Sequence, residues 1–288
     1  MHTSRRTFLR QSSLATAALG LGLPALSSCA EAASASQKLP HFGLITGWMG
    51  DVWKNDWEGT LEKVAAAGYT ELEFGKGHGP SPEIWLQKVR ELGLKPVAGG
   101  ASMAQFKSSL TELIDQRLAM GQQYLVCYWP WMDSGENRSI DLVKSICEDF
   151  NRFGEACKQN GLTFAFHNHD KEFFPIEGQI PFDLMLQETD PALVTMEIDL
   201  YWIRKGDGDV LDYFRRYPGR FELCHVKDMD ATPERGFAAP GEGIIDFGAI
   251  FKHKDEAGLK HFFVEQDKAP EPMRSMEVAA AYLRELVF

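Results

Sequence analysis

The stretch Gly68-Tyr69-Thr70-Glu71-Leu72-Glu73-Phe74 joins the end of a helix-like pattern directly to a short strand-like run. Glycine suits this junction because the residue after a helix commonly takes a left-handed conformation, which costs glycine little. The same junction recurs at Gly93, Gly121, Gly161, Gly219 and Gly258, before Leu94–Ala98, Tyr124–Tyr128, Leu162–Phe166, Phe221–Val226 and His261–Val264. Together with Phe42–Ile45 and Leu193–Ile198, the pattern predicts eight strands.

Helix-like patterns lie between these runs, at Asp56–Ala67, Pro82–Leu92, Ala104–Met120, Ser139–Asn160 and Met273–Leu286. Alternating strands and helices predict a parallel sheet with helical crossovers. Eight such units in about 250 residues fit a closed barrel better than an open doubly wound sheet. No Gly-x-Gly-x-x-Gly follows the first strand, which argues against a dinucleotide-binding fold. We therefore predict an α/β protein with one (β/α)8 TIM barrel over residues 40–288.

The composition predicts a soluble globular protein, because 44% of the 288 residues are hydrophobic and 25% are charged. The net charge is −11, from 30 Lys and Arg against 41 Asp and Glu. Residues 1–28 hold three arginines and no acid, so the rest of the chain carries 27 − 41 = −14. DNA and RNA are poor partners for so acidic a body, since their binding depends on neutralising phosphates with Lys and Arg.

The N-terminus has the pattern of an export signal. Ser4-Arg5-Arg6-Thr7-Phe8-Leu9-Arg10 precedes the uncharged stretch Leu14–Leu26, which is too short to span a bilayer as a helix. The paired arginines resemble a twin-arginine signal, and Leu26-Ser27-Ser28-Cys29 resembles a lipoprotein box with Cys29 as the lipidated residue. Ordinary cleavage after a nearby small residue is the alternative. We expect a signal peptide over 1–29, a flexible tether over 30–39, and a periplasmic or membrane-anchored protein.

Polar side chains end five of the predicted strands, where a barrel of this kind carries its chemistry. They are Glu73 on the second strand, His167, Asn168 and His169 on the fifth, Asp199 on the sixth, His225 on the seventh and Glu265 on the eighth. Several imidazoles and carboxylates at the mouth of an apolar core favour a bound divalent ion. This donor mixture suits Mn, Zn, Co, Fe or Mg, whereas Ca favours an all-oxygen shell. The alternative is that a salt bridge or hydrogen bond satisfies each side chain separately.

Five blocks of sequence carry a family resemblance. They are Phe166-His167-Asn168-His169-Asp170-Lys171-Glu172-Phe173, Glu197-Ile198-Asp199-Leu200-Tyr201-Trp202, His225-Val226-Lys227-Asp228, Gly241-Glu242-Gly243-Ile244-Ile245-Asp246-Phe247 and Val264-Glu265-Gln266-Asp267. In this order they resemble the sugar phosphate isomerase/epimerase family, whose members are xylose isomerase-like barrels related to some abasic-site endonucleases. The strand–helix pattern extends the resemblance over residues 41–286.

The resemblance implies one metal ligand at the end of each of strands five to eight. By position these are His167, Asp199, His225 and Glu265. Strand five departs from the family's sugar epimerases, which usually have Glu there. Both His167 and His169 can face the same side of the strand, so either is a candidate ligand.

A second departure is Trp202, which replaces the family's frequent substrate-binding His and offers an aromatic wall to a sugar ring or an aglycone. Asn168, Glu172 and Glu242 are the other candidate substrate contacts. Glu172 could instead cap the loop after strand five, and Glu242 could be a solvated turn residue.

The resemblance implies proton abstraction beside a sugar carbonyl, assisted by the metal. The candidate bases are His169 and Glu73, and Lys227 is the candidate cation for the developing oxyanion. Glu73 could instead pair with a neighbouring cation, and Lys227 could simply orient Asp228.

We predict a divalent-metal-dependent isomerase or epimerase that acts on a carbohydrate or keto-sugar through an enediolate. The main alternative is a 3-keto-glycoside lyase that uses the same site for β-elimination. A non-catalytic carbohydrate-binding lipoprotein is the alternative of another class, and an abasic-site endonuclease is disfavoured by the charge and the export signal. A lipid anchor is the expected membrane contact, and the sequence leaves open whether the chain is a homo-oligomer.

Overall fold

The computed structural model describes residues 36–75, 77–131 and 138–288. The predicted signal peptide, Cys29 and the tether up to residue 35 lie outside these ranges. Within them, Gln37 exchanges two backbone hydrogen bonds with Phe288, of 2.8 and 2.9 Å. None of the described helices has both the length and the apolarity that crossing a membrane demands.

Eight parallel strands close into a barrel, which confirms the predicted fold class. In chain order they are β1 (Gly43–Ile45), β2 (Glu71–Glu73), β3 (Lys95–Ser102), β4 (Tyr124–Trp129), β5 (Thr163–His167), β6 (Val194–Asp199), β7 (Phe221–Val226) and β8 (His261–Val264). Each strand pairs with the next along the chain, and β1 closes the barrel by pairing Gly43 with Phe263 of β8. Asp228–Met229 and Phe237–Ala238 form a separate antiparallel ribbon after β7.

Helices follow the strands on the outside of the barrel. They are α1 (Asp51–Asn55), α2 (Trp57–Ala66), α3 (Pro82–Glu91), α4 (Met103–Ala119), α5 (Ile140–Gln159), α6 (Pro181–Glu188), α7 (Leu200–Lys205), α8 (Val210–Arg216), α9 (Phe247–Phe251), α10 (Lys254–Ala257) and α11 (Pro272–Glu285). Single 3-10 turns lie at Gly47–Met49 and Asp170–Phe173. The five helices predicted from sequence are present, each within about one residue of its predicted ends.

The glycines at the helix-to-strand junctions all have positive φ. The values run from 69° at Gly121 to 99° at Gly68. Because this conformation is costly for residues with a Cβ atom, glycine at these points allows each helix to turn directly into the next strand. The repeat seen in the sequence is therefore the repeat of the barrel.

The interior of the barrel contains an apolar layer between two polar ends. Ile45, Val126, Ala165, Leu223 and Phe263 belong to a buried cluster distinct from the larger core. Since side chains alternate along a strand, residues two positions further along face the same interior but lie nearer the mouth. In this way His167 follows Ala165, and His225 follows Leu223.

Candidate active site

Three of the predicted ligands converge at the mouth of the barrel. His167 ends β5, Asp199 ends β6 and His225 lies near the end of β7, and their exposed fractions are 3%, 0% and 1%. One ligand atom from each lies within 4.8 Å of the others. Asp199 Oδ2 is 3.9 Å from His167 Nε2 and 4.0 Å from His225 Nδ1. Atoms that bind one ion at roughly 2.0–2.2 Å are about 3–4 Å apart, so small movements suffice to place a metal between them.

The Asp199 carboxylate is held in place by its two neighbours along the chain. Its Oδ1 accepts a 2.8 Å hydrogen bond from the Trp202 backbone and caps α7. Its own backbone N–H donates to Asn168 Oδ1 at 3.0 Å. The Oδ2 atom is buried and has no hydrogen bond among the described residues. Asn168 therefore positions a candidate ligand through its Oδ1, and its role as a substrate contact stays a prediction.

Glu265, the fourth predicted ligand, takes part in a different set of contacts. Its Oε2 lies 2.9 Å from His225 Nδ1 and 2.6 Å from Lys227 Nζ. The same ammonium lies 3.1 Å from Asp199 Oδ2 and 2.9 Å from Asp267 Oδ2. Lys227 is 1% exposed and is thus a buried cation surrounded by three carboxylates. It does more than orient Asp228, which was the alternative considered from the sequence.

A second group of charged residues lies deeper in the strands. Glu73 is wholly buried, with Oε1 accepting a 2.5 Å hydrogen bond from Tyr128 and Oε2 lying 2.8 Å from His225 Nε2. Glu197 is also wholly buried, and its Oε2 lies 3.2 Å from His167 Nδ1 and 3.3 Å from His225 Nε2. Both Glu197 oxygens lack a hydrogen bond with acceptable geometry among the described residues.

Sequence reasoning missed Glu197 and Tyr128. Tyr128 lies on β4 and Glu197 lies on β6. Glu197 precedes Asp199 by two residues and therefore faces the same interior. An acid between Met196 and Ile198 in an apolar strand was the signal that could have identified it.

Negative charge exceeds positive charge in this buried site. Glu73, Glu197, Asp199, Glu265 and Asp267 surround one lysine and two histidines. Burial, followed by the charge of Glu73, raises the pKa of Glu197 to about 8, and burial raises the pKa of Asp199 to about 6. Burial alone would lower the pKa of Lys227, but its carboxylates raise it well above the ordinary value. The site therefore favours any added positive charge, whether protons or a divalent ion.

His169 lies beside this group and belongs to an aromatic wall. Its ring centroid is 5.3 Å from that of Trp129 and 5.3 Å from that of Trp202. Burial, together with Lys227, lowers the pKa of His169 to about 4, so the imidazole is neutral at pH 7. Its buried Nδ1 has no hydrogen bond among the described residues.

Two predicted substrate contacts have other partners. Glu172 is wholly buried: Oε1 accepts from Trp131 Nε1 at 2.7 Å and Oε2 accepts from the His169 backbone at 2.6 Å. It caps the loop after β5, the alternative named for it. Glu242 is exposed and forms an ion pair with Arg274 of α11, with contacts of 2.5 and 3.0 Å. Both carboxylates have protein donors as partners, and their role as substrate contacts stays a prediction.

A cavity of about 160 Å³ opens over the site. It is lined by Ile45, Tyr128, His167, His169, His225, Lys227, Glu265 and Asp267. It is smaller than the roughly 300–1,000 Å³ of sites for drug-sized ligands, which suits a small substrate. A larger groove of about 560 Å³ runs between α7 and α9, but it holds none of these histidines. Chemistry rather than volume therefore identifies the smaller cavity as the candidate active site.

Comparison with known protein families matches residues 61–286 to the model described as a xylose isomerase-like TIM barrel. The chain belongs to this family. The match covers β2 to β8 and thus every strand that supplies a charged residue to the mouth.

Relatives of this xylose isomerase-like barrel include sugar-processing enzymes. Inosose dehydratase of Clostridium perfringens is 24% identical over 271 residues, which cover 81% of this chain and 90% of that protein. A sugar phosphate isomerase/epimerase of Parabacteroides distasonis has a crystal structure that matches with a TM-score of 0.73 and 27% identity, covering 90% and 97% of the two chains. The 3-keto-D-glucoside 4-epimerase of Escherichia coli matches with a TM-score of 0.63 at 14% identity, over 84% and 98%, and this likeness concerns the fold alone.

The donor set of this xylose isomerase-like barrel fits a divalent metal ion. His167, Asp199 and His225 supply two imidazoles and a carboxylate, a combination that suits Zn, Mn, Fe or Co. His167 Nε2 faces Asp199 Oδ2 at 3.9 Å, and the excess of buried carboxylates around them favours a bound cation. His169 is outside this group of three, so the structure favours His167 as the strand-five ligand.

Proposed function

We propose that this protein is a divalent-metal-dependent isomerase or epimerase of a small carbohydrate or keto-sugar. The observation that carries the proposal is the set His167, Asp199 and His225 beside a neutral His169 and the ammonium of Lys227. A binding protein for a neutral sugar needs hydrogen bonds and aromatic rings, but it does not need this buried excess of carboxylates.

The metal would be held by His167, Asp199 and His225, and its chemistry is to polarise a carbonyl and acidify the neighbouring C–H bond. His169 is the residue we assign as base, because its imidazole is neutral at pH 7 and its ring lines the cavity. Glu73 is a weaker candidate, since both of its oxygens already contact Tyr128 and His225. The proton taken from carbon would pass to His169 and return to a different carbon, or to the other face of the same carbon.

Lys227 would hold the oxygen on which negative charge develops. Its ammonium lines the cavity, and its contacts with Asp199, Glu265 and Asp267 keep it charged and fixed in position. A donor that is fixed before the reaction stabilises the oxyanion without reorganising. Trp202, over whose ring Lys227 Nζ lies at 5.4 Å, would form one wall for the ring of the substrate.

β-Elimination at the same site is the second candidate. The observation that favours it is the similarity to inosose dehydratase over most of both chains, together with His167 in place of the Glu usual in sugar epimerases. After the same proton abstraction, the C–O bond at the β-carbon would break as the C=C bond forms, and the proton held by His169 would pass to the leaving oxygen, which departs as water or as the aglycone alcohol.

One experiment tests both candidates. The metal-loaded protein is incubated in D2O with L-ribulose, an inosose and a 3-keto-glucoside, and NMR follows the replacement of C–H by C–D. An isomer or epimer of the substrate that carries deuterium supports isomerase or epimerase activity. A product that has lost water or the aglycone supports a lyase. We expect His169→Gln to reduce exchange about 100-fold or more. If the folded, metal-loaded parent exchanges no deuterium into any of the three, the proposal is wrong.

We also propose that the chain is exported and lipidated at Cys29. Support comes from the order of the paired arginines, the uncharged stretch and the cysteine. Fractionation of cells that express the parent or Cys29→Ser, with mass analysis of the mature N-terminus, tests this. A cytoplasmic, uncleaved parent would contradict it.

A further inference from the structure

A further group of ligand-type side chains lies at the opposite end of the barrel. His41 precedes β1, Glu71 begins β2 and His261 begins β8. Glu71 Oε2 lies 2.9 Å from His261 Nδ1, and Glu71 Oε1 lies 3.5 Å from His41 Nε2. One ligand atom from each of the three lies within 4.8 Å of the others.

This group is separate from the active site. His261 and Glu265 are four residues apart along β8, which corresponds to about 13 Å of strand. Phe263 lies between them and is wholly buried in the apolar layer. The side chains of Glu71, His261 and His41 are 6%, 15% and 33% exposed, so an ion can reach them from solvent.

The charge of Glu71 has no permanent partner. Among the residues that the structure describes, the ion pairs of this carboxylate are with His41 and His261 alone, and neither Lys nor Arg joins them. A nearly buried carboxylate without a lysine or arginine beside it is a group whose charge a divalent ion can balance.

We propose that His41, Glu71 and His261 form a second metal site, which takes a zinc-like divalent transition ion and has a structural role. Two imidazoles and one carboxylate are a donor set that zinc uses, with water completing the shell. His41 Nε2 now lies 2.8 Å from the Lys260 carbonyl. Metal binding would replace this bond, and the partly exposed ring has room to move.

The proposed site lies where the barrel closes. β1 lies between β2 and β8, and the barrel closes there between the first and last strands of the chain. One ion held by His41, Glu71 and His261 would link all three strands. Since the site would bind the folded chain and not the unfolded one, metal binding should stabilise the fold.

The test measures zinc bound to the whole chain after chelation and dialysis against zinc alone. We expect about two ions per chain in the parent, about one in His41→Ala/His261→Ala and about one in Asp199→Ala/His225→Ala. His253→Ala is the matched control, because the exposed His253 pairs with Glu256 and belongs to neither group, and it should keep the parent's metal content. Glu71→Gln keeps the shape of Glu71 and is used if the double variant fails to fold.

The thermal midpoint provides a second readout. Zinc should raise it in Asp199→Ala/His225→Ala, which retains the proposed structural site, and the rise should disappear when Glu71→Gln is added. The proposal is overturned if His41→Ala/His261→Ala and Glu71→Gln both bind as much zinc as the parent. Because the two groups are altered separately, failure of the structural site is distinguishable from failure of the metal site in the proposed function.

Discussion

Lys227 Nζ lies 2.6 Å from Glu265 Oε2, at the mouth of a barrel where both side chains are almost wholly removed from water. The same ammonium also contacts Asp199 and Asp267. It therefore neutralises part of the charge of Asp199 and Glu265, two residues that the family resemblance implies as metal ligands. A metal ion bound here would act together with the lysine, since either one would reduce the repulsion among the carboxylates.

The first prediction concerns this lysine. Lys227→Met leaves three carboxylates without their cation, and removing one partner of a buried ion pair typically costs about 3–5 kcal/mol. We expect the metal-free variant to lose unfolding free energy of this order, and we expect zinc or manganese to restore much of it. Denaturant unfolding with and without metal measures both effects. Lys260→Met is the control, because Lys260 forms an exposed pair with Glu222; equal losses in the two variants would contradict the prediction.

The second prediction concerns pH and Glu172. Burial raises the pKa of this carboxyl from 4.5 to about 7. Because the folded state holds the proton more tightly than the unfolded state, Glu172 lowers stability progressively as pH rises from about 4.5 to about 7, and its effect is constant above that.

Glu172→Gln removes this titration. The stability of the variant relative to the parent should therefore increase between pH 5 and pH 7. Thermal unfolding at several pH values measures the difference, and the exposed Glu155→Gln controls for the loss of one charge. A difference that is constant over this range would refute the assignment.

The third prediction concerns residues 239–245, the loop that follows the antiparallel ribbon of Asp228–Met229 and Phe237–Ala238. The Asp228 carboxylate accepts backbone hydrogen bonds from Gly241, Gly243 and Ile245 at 3.0, 3.0 and 3.1 Å. Asp228→Ala leaves these half-buried donors without their acceptor, and a hydrogen bond to a charged group contributes about 1.5–3 kcal/mol. We expect faster amide hydrogen exchange at Gly243 and lower stability, with a smaller effect in Asp228→Asn, which keeps one acceptor oxygen. Unchanged exchange in Asp228→Ala would show that other contacts hold the loop.

The fourth prediction concerns the closure of the barrel at Gly43. A Cβ atom there would lie 2.7 Å from the Phe263 ring and 2.9 Å from the Glu71 carbonyl oxygen. Gly43→Ala must therefore shift β1 or the ring, and overpacking of this kind costs about 1–3 kcal/mol. Gly47→Ala is the control, since no atom lies within 4 Å of its Cβ position. Equal unfolding free energies for the two variants would contradict this account.

Much of the fold was predictable from local sequence. The glycine junctions require a backbone conformation that few other residues adopt, and the spacing of hydrophobic residues separates strands from helices. The resulting order of eight strands and intervening helices predicted the barrel. The same reasoning identified the residues that end β5 to β8, because parallel strands in a barrel share one mouth. It overlooked Glu197, which lies inside a strand where a buried acid is not expected.

Most of the residues that reach the mouth of the barrel could be identified from the chain, because strand alternation and strand ends are local properties. How these residues pair follows only from the fold. It placed His167 rather than His169 beside Asp199, set Lys227 among three carboxylates, and brought His225 against Glu73, 152 residues away along the chain. These pairings depend on the register between strands and on which side chains face each other across the closed barrel, and neither is encoded in the spacing of residues along one strand.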